Sequence, residues 1–96
     1  MLLDQLRQMK ESLNGLAAQF GASQLRVFGS VARGEESAES DVDFLVVLPV
    51  GYDLFTQRMP LTQGLKDLLH RNVDLIPEHE LNPHLRSHIL DEAISI

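Results

Sequence analysis

The run Val42-Asp43-Phe44-Leu45-Val46-Val47-Leu48 constrains this chain more than any other segment. Apolar and β-branched residues follow one another from Phe44 to Leu48 without alternation, and Pro49 and Gly51 stop the run. Successive side chains of a strand point to opposite faces, so a strand that is apolar on both faces must be covered on both. The segment is therefore read as the central strand of a small sheet with helices packed on it. A chain of 96 residues supplies one such core and little more, which predicts a single domain over residues 1–96.

The flanking segments supply the remaining layers. Leu3, Leu6, Leu13, Leu16 and Phe20 recur at helical spacing, predicting an amphipathic helix over 3–20 closed by Gly21, with Asn14-Gly15 as its weak point. Gln24 to Phe28 alternates and stops at Gly29, which reads as a strand. A polar stretch runs from Gly29 to Asp41, with a short helix at its start. Leu54, Phe55, Leu61, Leu65, Leu68 and Leu69 predict a helix over 53–70, kinked or divided at Pro60, with its leucines in the core. Asn72 to Ile76 is a third strand, ended by Pro77. Pro83 opens a last helix with Leu85, Ile89, Leu90 and Ala93 on its apolar side, and Ile94–Ile96 adds a short strand. The expected class is α/β (α+β), with a small mixed sheet of three to four strands.

Charge and composition exclude several functions. Fourteen acidic residues against eight basic ones give a net charge of −6, and there are only five aromatic residues. Backbone binding to nucleic acid depends on clustered Lys and Arg, so direct nucleic-acid binding is not expected. The absence of cysteine rules out a disulfide scaffold, a thiolate zinc site and a cysteine nucleophile. No apolar run approaches the roughly 18 residues of a membrane span, and Asp4 stands where a signal peptide needs basic and then apolar residues. The expectation is a soluble, cytoplasmic protein without membrane contact.

Three features of the polar stretch and the strands converge on phosphate chemistry. Gly29-Ser30 lies where a strand passes into a helix; glycine allows close approach to the backbone, and unpaired N–H groups suit an anion. Ser30 adds a hydroxyl donor, and Arg33 lies one turn on. Asp41 and Asp43 are two apart at a strand start, hence on one face, where two carboxylates call for a hard divalent cation such as Mg²⁺. Ser40 precedes them and can brace the turn. Asp74 interrupts the apolar run Val73-Asp74-Leu75-Ile76. Beside the central strand it would reach the same site, either to accept a proton from an attacking hydroxyl or to complete the metal shell.

Gly29-Ser30, ten residues, Asp41-Val42-Asp43 and then Asp74 resemble the signature of the nucleotidyltransferase superfamily related to DNA polymerase β. The length and element order are similar to its minimal nucleotidyltransferases (the MNT group). The resemblance implies that Gly29 and Ser30 hold the triphosphate of ATP, that Asp41 and Asp43 bind Mg²⁺, and that Asp74 is the third acid. It further implies an antitoxin that transfers AMP to a tyrosine hydroxyl of a HEPN-domain ribonuclease toxin, with which it forms a hetero-oligomer. Two other readings stand beside it: a non-catalytic module that masks its partner stoichiometrically, and an enzyme with a small-molecule acceptor. Arg33 either contacts phosphate or offsets Glu35, Glu36 and Glu39, which read as a solvated loop. His84 and His88 have metal-ligand spacing, but His79-Glu80 is out of step with the zinc-protease pattern, and the histidines are read as surface residues.

Overall fold

A computed structural model describes residues 1–96. The central-strand reading holds. Val42–Val47 forms β2, an inner strand of a four-stranded mixed sheet of order β3-β2-β1-β4. The neighbours are β1 (Ser23–Phe28), β3 (Val73–Pro77) and β4 (Ile94–Ser95). β1 runs antiparallel to β2 and to β4, whereas β3 runs parallel to β2. That parallel pair needs a crossover, and the helical segment between β2 and β3 provides it.

Each face of β2 is buried by a different layer. Val42, Phe44 and Val46 join Leu25, Val27, Val73 and Leu75 under the helices α1 (Leu2–Gln8), α2 (Lys10–Gln19) and α4 (Met59–Leu69). Phe44 and Leu61 are fully excluded from solvent, each contributing about 1.5–3 kcal/mol of burial. Leu45 on the other face packs with Phe28 and Leu81, covered by α5 (Pro83–Glu92) through Ile89, Leu90 and Ala93. Asp43 shares that second face.

Several expectations are corrected in detail. The first helix is two, broken at Met9 rather than at Asn14-Gly15. The bend lets Leu2 and Leu6 of one piece and Leu13 and Ala17 of the other reach the same core. Gly15 sits unremarked in α2. Gly21, at φ +76°, ends α2 as expected, with the Ala22 N–H donating to Ala17 O at 2.9 Å and the Gly21 N–H to Ala18 O at 3.0 Å.

The helix expected over 53–70 begins as a widened π turn, Leu54–Arg58, before α4. The Asp53 carboxylate caps it by accepting from the Phe55 and Thr56 N–H groups. Pro60 falls in the first turn of α4, where the π turn passes into the α-helix. Leu61 and Leu65 are core as expected. Leu54, Leu68 and, on α5, Leu85 are exposed instead, because each lies beyond the edge of the face its helix buries. No helix is long and apolar enough to cross a membrane.

Candidate active site

The sheet brings the separated acids to one place. Asp43 and Asp74 are register partners in the parallel β2–β3 pair, so their side chains leave the same face at the same level. Across β2, Asp43 is opposite Phe28, the last residue before Gly29. Residues 28–30, 43 and 74 therefore line up across three strands. Asp41 lies one residue before β2 rather than inside it, because ladder bonding starts with the Val42 N–H, which donates to Asn72 O at 2.9 Å. The two-residue spacing still turns Asp41 toward Asp43.

Asp43 is the electrostatic centre. Its carboxyl is pushed above the usual carboxylate range, first by burial, then by the charges of Asp74 and Asp41; Glu92 adds to the effect and Arg33 opposes it. Asp41 and Asp74 are exposed. Such a group gains from any cation that neutralises the cluster. No three His, Asp or Glu side chains converge closely enough to hold an ion unaided. The donor set of three carboxylates, one held against its charge, nevertheless fits a hard divalent cation such as Mg²⁺. Asp41, Asp43 and Asp74 would be its ligands.

The helix α3 (Gly29–Arg33) begins at the end of β1, as expected from Gly29-Ser30. Gly29 has φ +71°, and a Cβ there would land on the Asp43 carboxylate oxygen. Glycine is thus demanded twice, by the backbone and by the acid lying against it. Ser30 and Val31 lie in the first turn of α3, where an N–H group has no carbonyl four residues back within the helix.

The Gly29 N–H is taken by Glu92, whose carboxylate accepts from it at 2.9 Å. Glu92 also pairs with Arg33, and Arg33 is engaged by Glu35 at 3.2 Å on its other side. Of the two readings of Arg33, the structure displays the charge-offsetting one, although a main partner is Glu92 from another helix. Burial pushes the Glu92 carboxyl up, but the Arg33 hydrogen bond, the Gly29 N–H and the Arg33 charge outweigh it and hold it below the usual range. Glu92 was not singled out from the sequence. The one signal was its place in the last turn of α5, where a negative charge opposes the helix dipole and needs another partner.

Ser40 braces the loop before Asp41. Its hydroxyl accepts from the Ser37 N–H at 2.9 Å, and Arg71 donates to Ser37 O and Ser40 O. The loop is less solvated than expected, for Glu36 is half-buried and one of its carboxylate oxygens has no partner. The widest concavity, about 460 Å³ between Ala38–Ser40 and His70–Asn72, contains none of the three acids. A smaller groove of about 290 Å³ opens on Asp74, walled by Leu54, Arg58, Met59, Lys66 and Leu75. His84 and His88 are exposed on α5.

A strand-turn-helix thus stands beside Asp43 and Asp74 on adjacent strands and Asp41 just before β2, the arrangement that the nucleotidyltransferase resemblance implies. Residues 6–96 match the family model for the nucleotidyltransferase domain. The chain belongs to that family and is a nucleotidyltransferase of the minimal type. It is 42% identical to the solved structure of a protein provisionally described as a minimal nucleotidyltransferase, with a TM-score of 0.85, covering 98% of this chain and 95% of that one. The protein adenylyltransferase MntA of Thermococcus cleftensis is 33% identical over 81 residues, 84% of this chain and 81% of MntA. A toxin–antitoxin crystal structure with AMP-PNP shares the fold at a TM-score of 0.75 and 22% identity, covering 90% of this chain and 70% of that one.

Proposed function

We propose that this protein is the antitoxin of a toxin–antitoxin pair, a single cytoplasmic domain that transfers AMP from ATP to a hydroxyl of a HEPN ribonuclease toxin, with tyrosine as the acceptor residue. The observation that carries the reading is Asp43, held against its charge between Asp74 and Asp41 and against the Gly29 turn. The MntA relationship supports a protein acceptor, and the nucleotide analogue in the more distant structure supports ATP.

Roles follow position. Ser30, with the first-turn N–H groups of α3, receives the triphosphate, while Gly29 lets it approach. Asp41, Asp43 and Asp74 would hold Mg²⁺, which would offset charge at the α-phosphate and on the leaving pyrophosphate. Asp74, beside Asp43 on the neighbouring strand, takes the acceptor hydroxyl's proton. The hydroxyl oxygen then bonds to the α-phosphorus, and the bond from that phosphorus to the bridging oxygen breaks, releasing pyrophosphate.

The test is incubation with α-labelled ATP, Mg²⁺ and the protein encoded beside this one. Label on that protein, lost with Asp41→Asn or Asp43→Asn, is the expected result. Neutralisation of the toxin that persists in both variants, with no label transferred, would establish stoichiometric masking instead.

A further inference from the structure

The Glu92 contacts join two parts of the molecule far apart in sequence. Its carboxylate is largely buried, with the side chain 12% exposed. One oxygen accepts from the Gly29 N–H and the other from the Arg33 guanidinium, so a single side chain on α5 grips both ends of the five-residue α3. Between those grips stand the Ser30 hydroxyl and the first-turn N–H groups of Ser30 and Val31. Gly29 in turn lies against the Asp43 carboxylate. Any drift of the turn therefore alters the distance between the anion-receiving groups and the acid cluster.

We propose that Glu92 is a positioning residue for nucleotide binding: it takes the first N–H of α3 and clamps Arg33, leaving Ser30 and Val31 aimed at the triphosphate. This rests on the phosphate-binding role given above to Gly29-Ser30. Glu92 does not touch substrate; it acts through Gly29 and Arg33. Reach matters more than charge in this role. Glutamine keeps the chain length and an oxygen that accepts from Gly29, whereas aspartate keeps the charge but is one methylene too short to span both partners.

The experiment compares Glu92→Ala, Glu92→Gln and Glu92→Asp with the unsubstituted protein, measuring ATP affinity with Mg²⁺ and KM and kcat for transfer. Measurable ATP binding and transfer by the unsubstituted protein establish the parent reading first; their absence would remove that reading without bearing on the contacts of Glu92. With them in hand, Glu92→Ala and Glu92→Asp are expected to raise KM and Kd for ATP about tenfold, the scale of one charge-assisted hydrogen bond. The effect on kcat should be smaller, and Glu92→Gln, whose one oxygen keeps the Gly29 bond while its NH2 group loses the Arg33 one, should stay within about threefold of the unsubstituted protein. Should the alanine variant fail to fold, the Gln and Asp variants alone decide. Tighter ATP binding on loss of Glu92 would overturn the proposal by making the carboxylate a competitor of phosphate. Unchanged KM in a folded but less stable Asp variant would reduce it to a structural tie, and Gln as impaired as Asp would overturn the precedence of reach by showing that charge is required as well.

Discussion

Gly29→Ala is the most informative single substitution, because two independent costs meet there. At φ +71° an L-residue is in the left-handed region, which costs about 1–2 kcal/mol. The new methyl would also overlap the Asp43 carboxylate oxygen and lie 3.2 Å from its Cγ. Relieving that overlap drives Asp43 off its rotamer, at about 0.5–1.5 kcal/mol. Together the substitution should destabilise by about 2–3 kcal/mol, within the roughly 5–14 kcal/mol available to a chain of this length, so the variant folds. A double-mutant cycle separates the two costs. With alanine at 43, the nearest remaining atom of that residue is its Cβ at 3.5 Å, an ordinary contact. Urea unfolding of the four proteins should therefore show Gly29→Ala costing about 1 kcal/mol less in the Asp43→Ala background. The same cost in both backgrounds would refute the reasoning. Gly29→Ala should also lose transfer activity while folded, since it displaces the acid at the centre of the site.

Other expectations can be checked alongside. Asp43→Asn should raise the thermal midpoint at neutral pH, because it removes a carboxylate that is costly to ionise. The folded protein holds that proton to higher pH than the unfolded chain, so the stability gap between variant and parent should widen as pH rises from the ordinary carboxylate value through the raised one, then level off. Glu92 works oppositely: its depressed value means stability that is present above the ordinary carboxylate range and lost as pH falls through the folded value, a loss that calorimetry of Glu92→Gln should find missing. Millimolar Mg²⁺ should raise the melting temperature of the parent protein and not of Asp43→Asn; equal shifts in both would place the ion elsewhere. Gly15→Ala, inside α2 with nothing within 4 Å of the added methyl, should stabilise by about 0.5–1 kcal/mol in urea unfolding.

Local pattern revealed what depends on local pattern. The unbroken apolar run of β2 announced a strand covered on both faces, and Gly29 was visible as a strand-to-helix glycine, although the Asp43 carboxylate lying against it was not. The meeting of Asp43 with Asp74 followed once the odd acid in β3 was noticed, because a carboxylate in an apolar strand needs a neighbour. The bend at Met9 left no mark, since neither glycine nor proline causes it; the core on which two short helices converge does. Glu92 was equally hidden. Its partners lie 59 and 63 residues away, and no periodicity reports a contact across that distance. Arg33 could not be assigned from charge alone, because three nearby acids competed for it and a fourth came from another helix.

β3 is one of the two margins of the sheet, the longer one, and its residues other than Asp74 are apolar. An unpaired strand of that composition invites other chains to add to it, as in aggregation. Three groups blunt it here: the exposed charge of Asp74, the missing N–H of Pro77, and Arg58, which donates to the Leu75 carbonyl at 3.0 Å and removes an acceptor. The acid proposed as the third member of the site thus also places a charge on this margin. Asn at 74 leaves the side chain's size intact but removes its charge from this margin, so a variant made to silence catalysis would also become more prone to self-association.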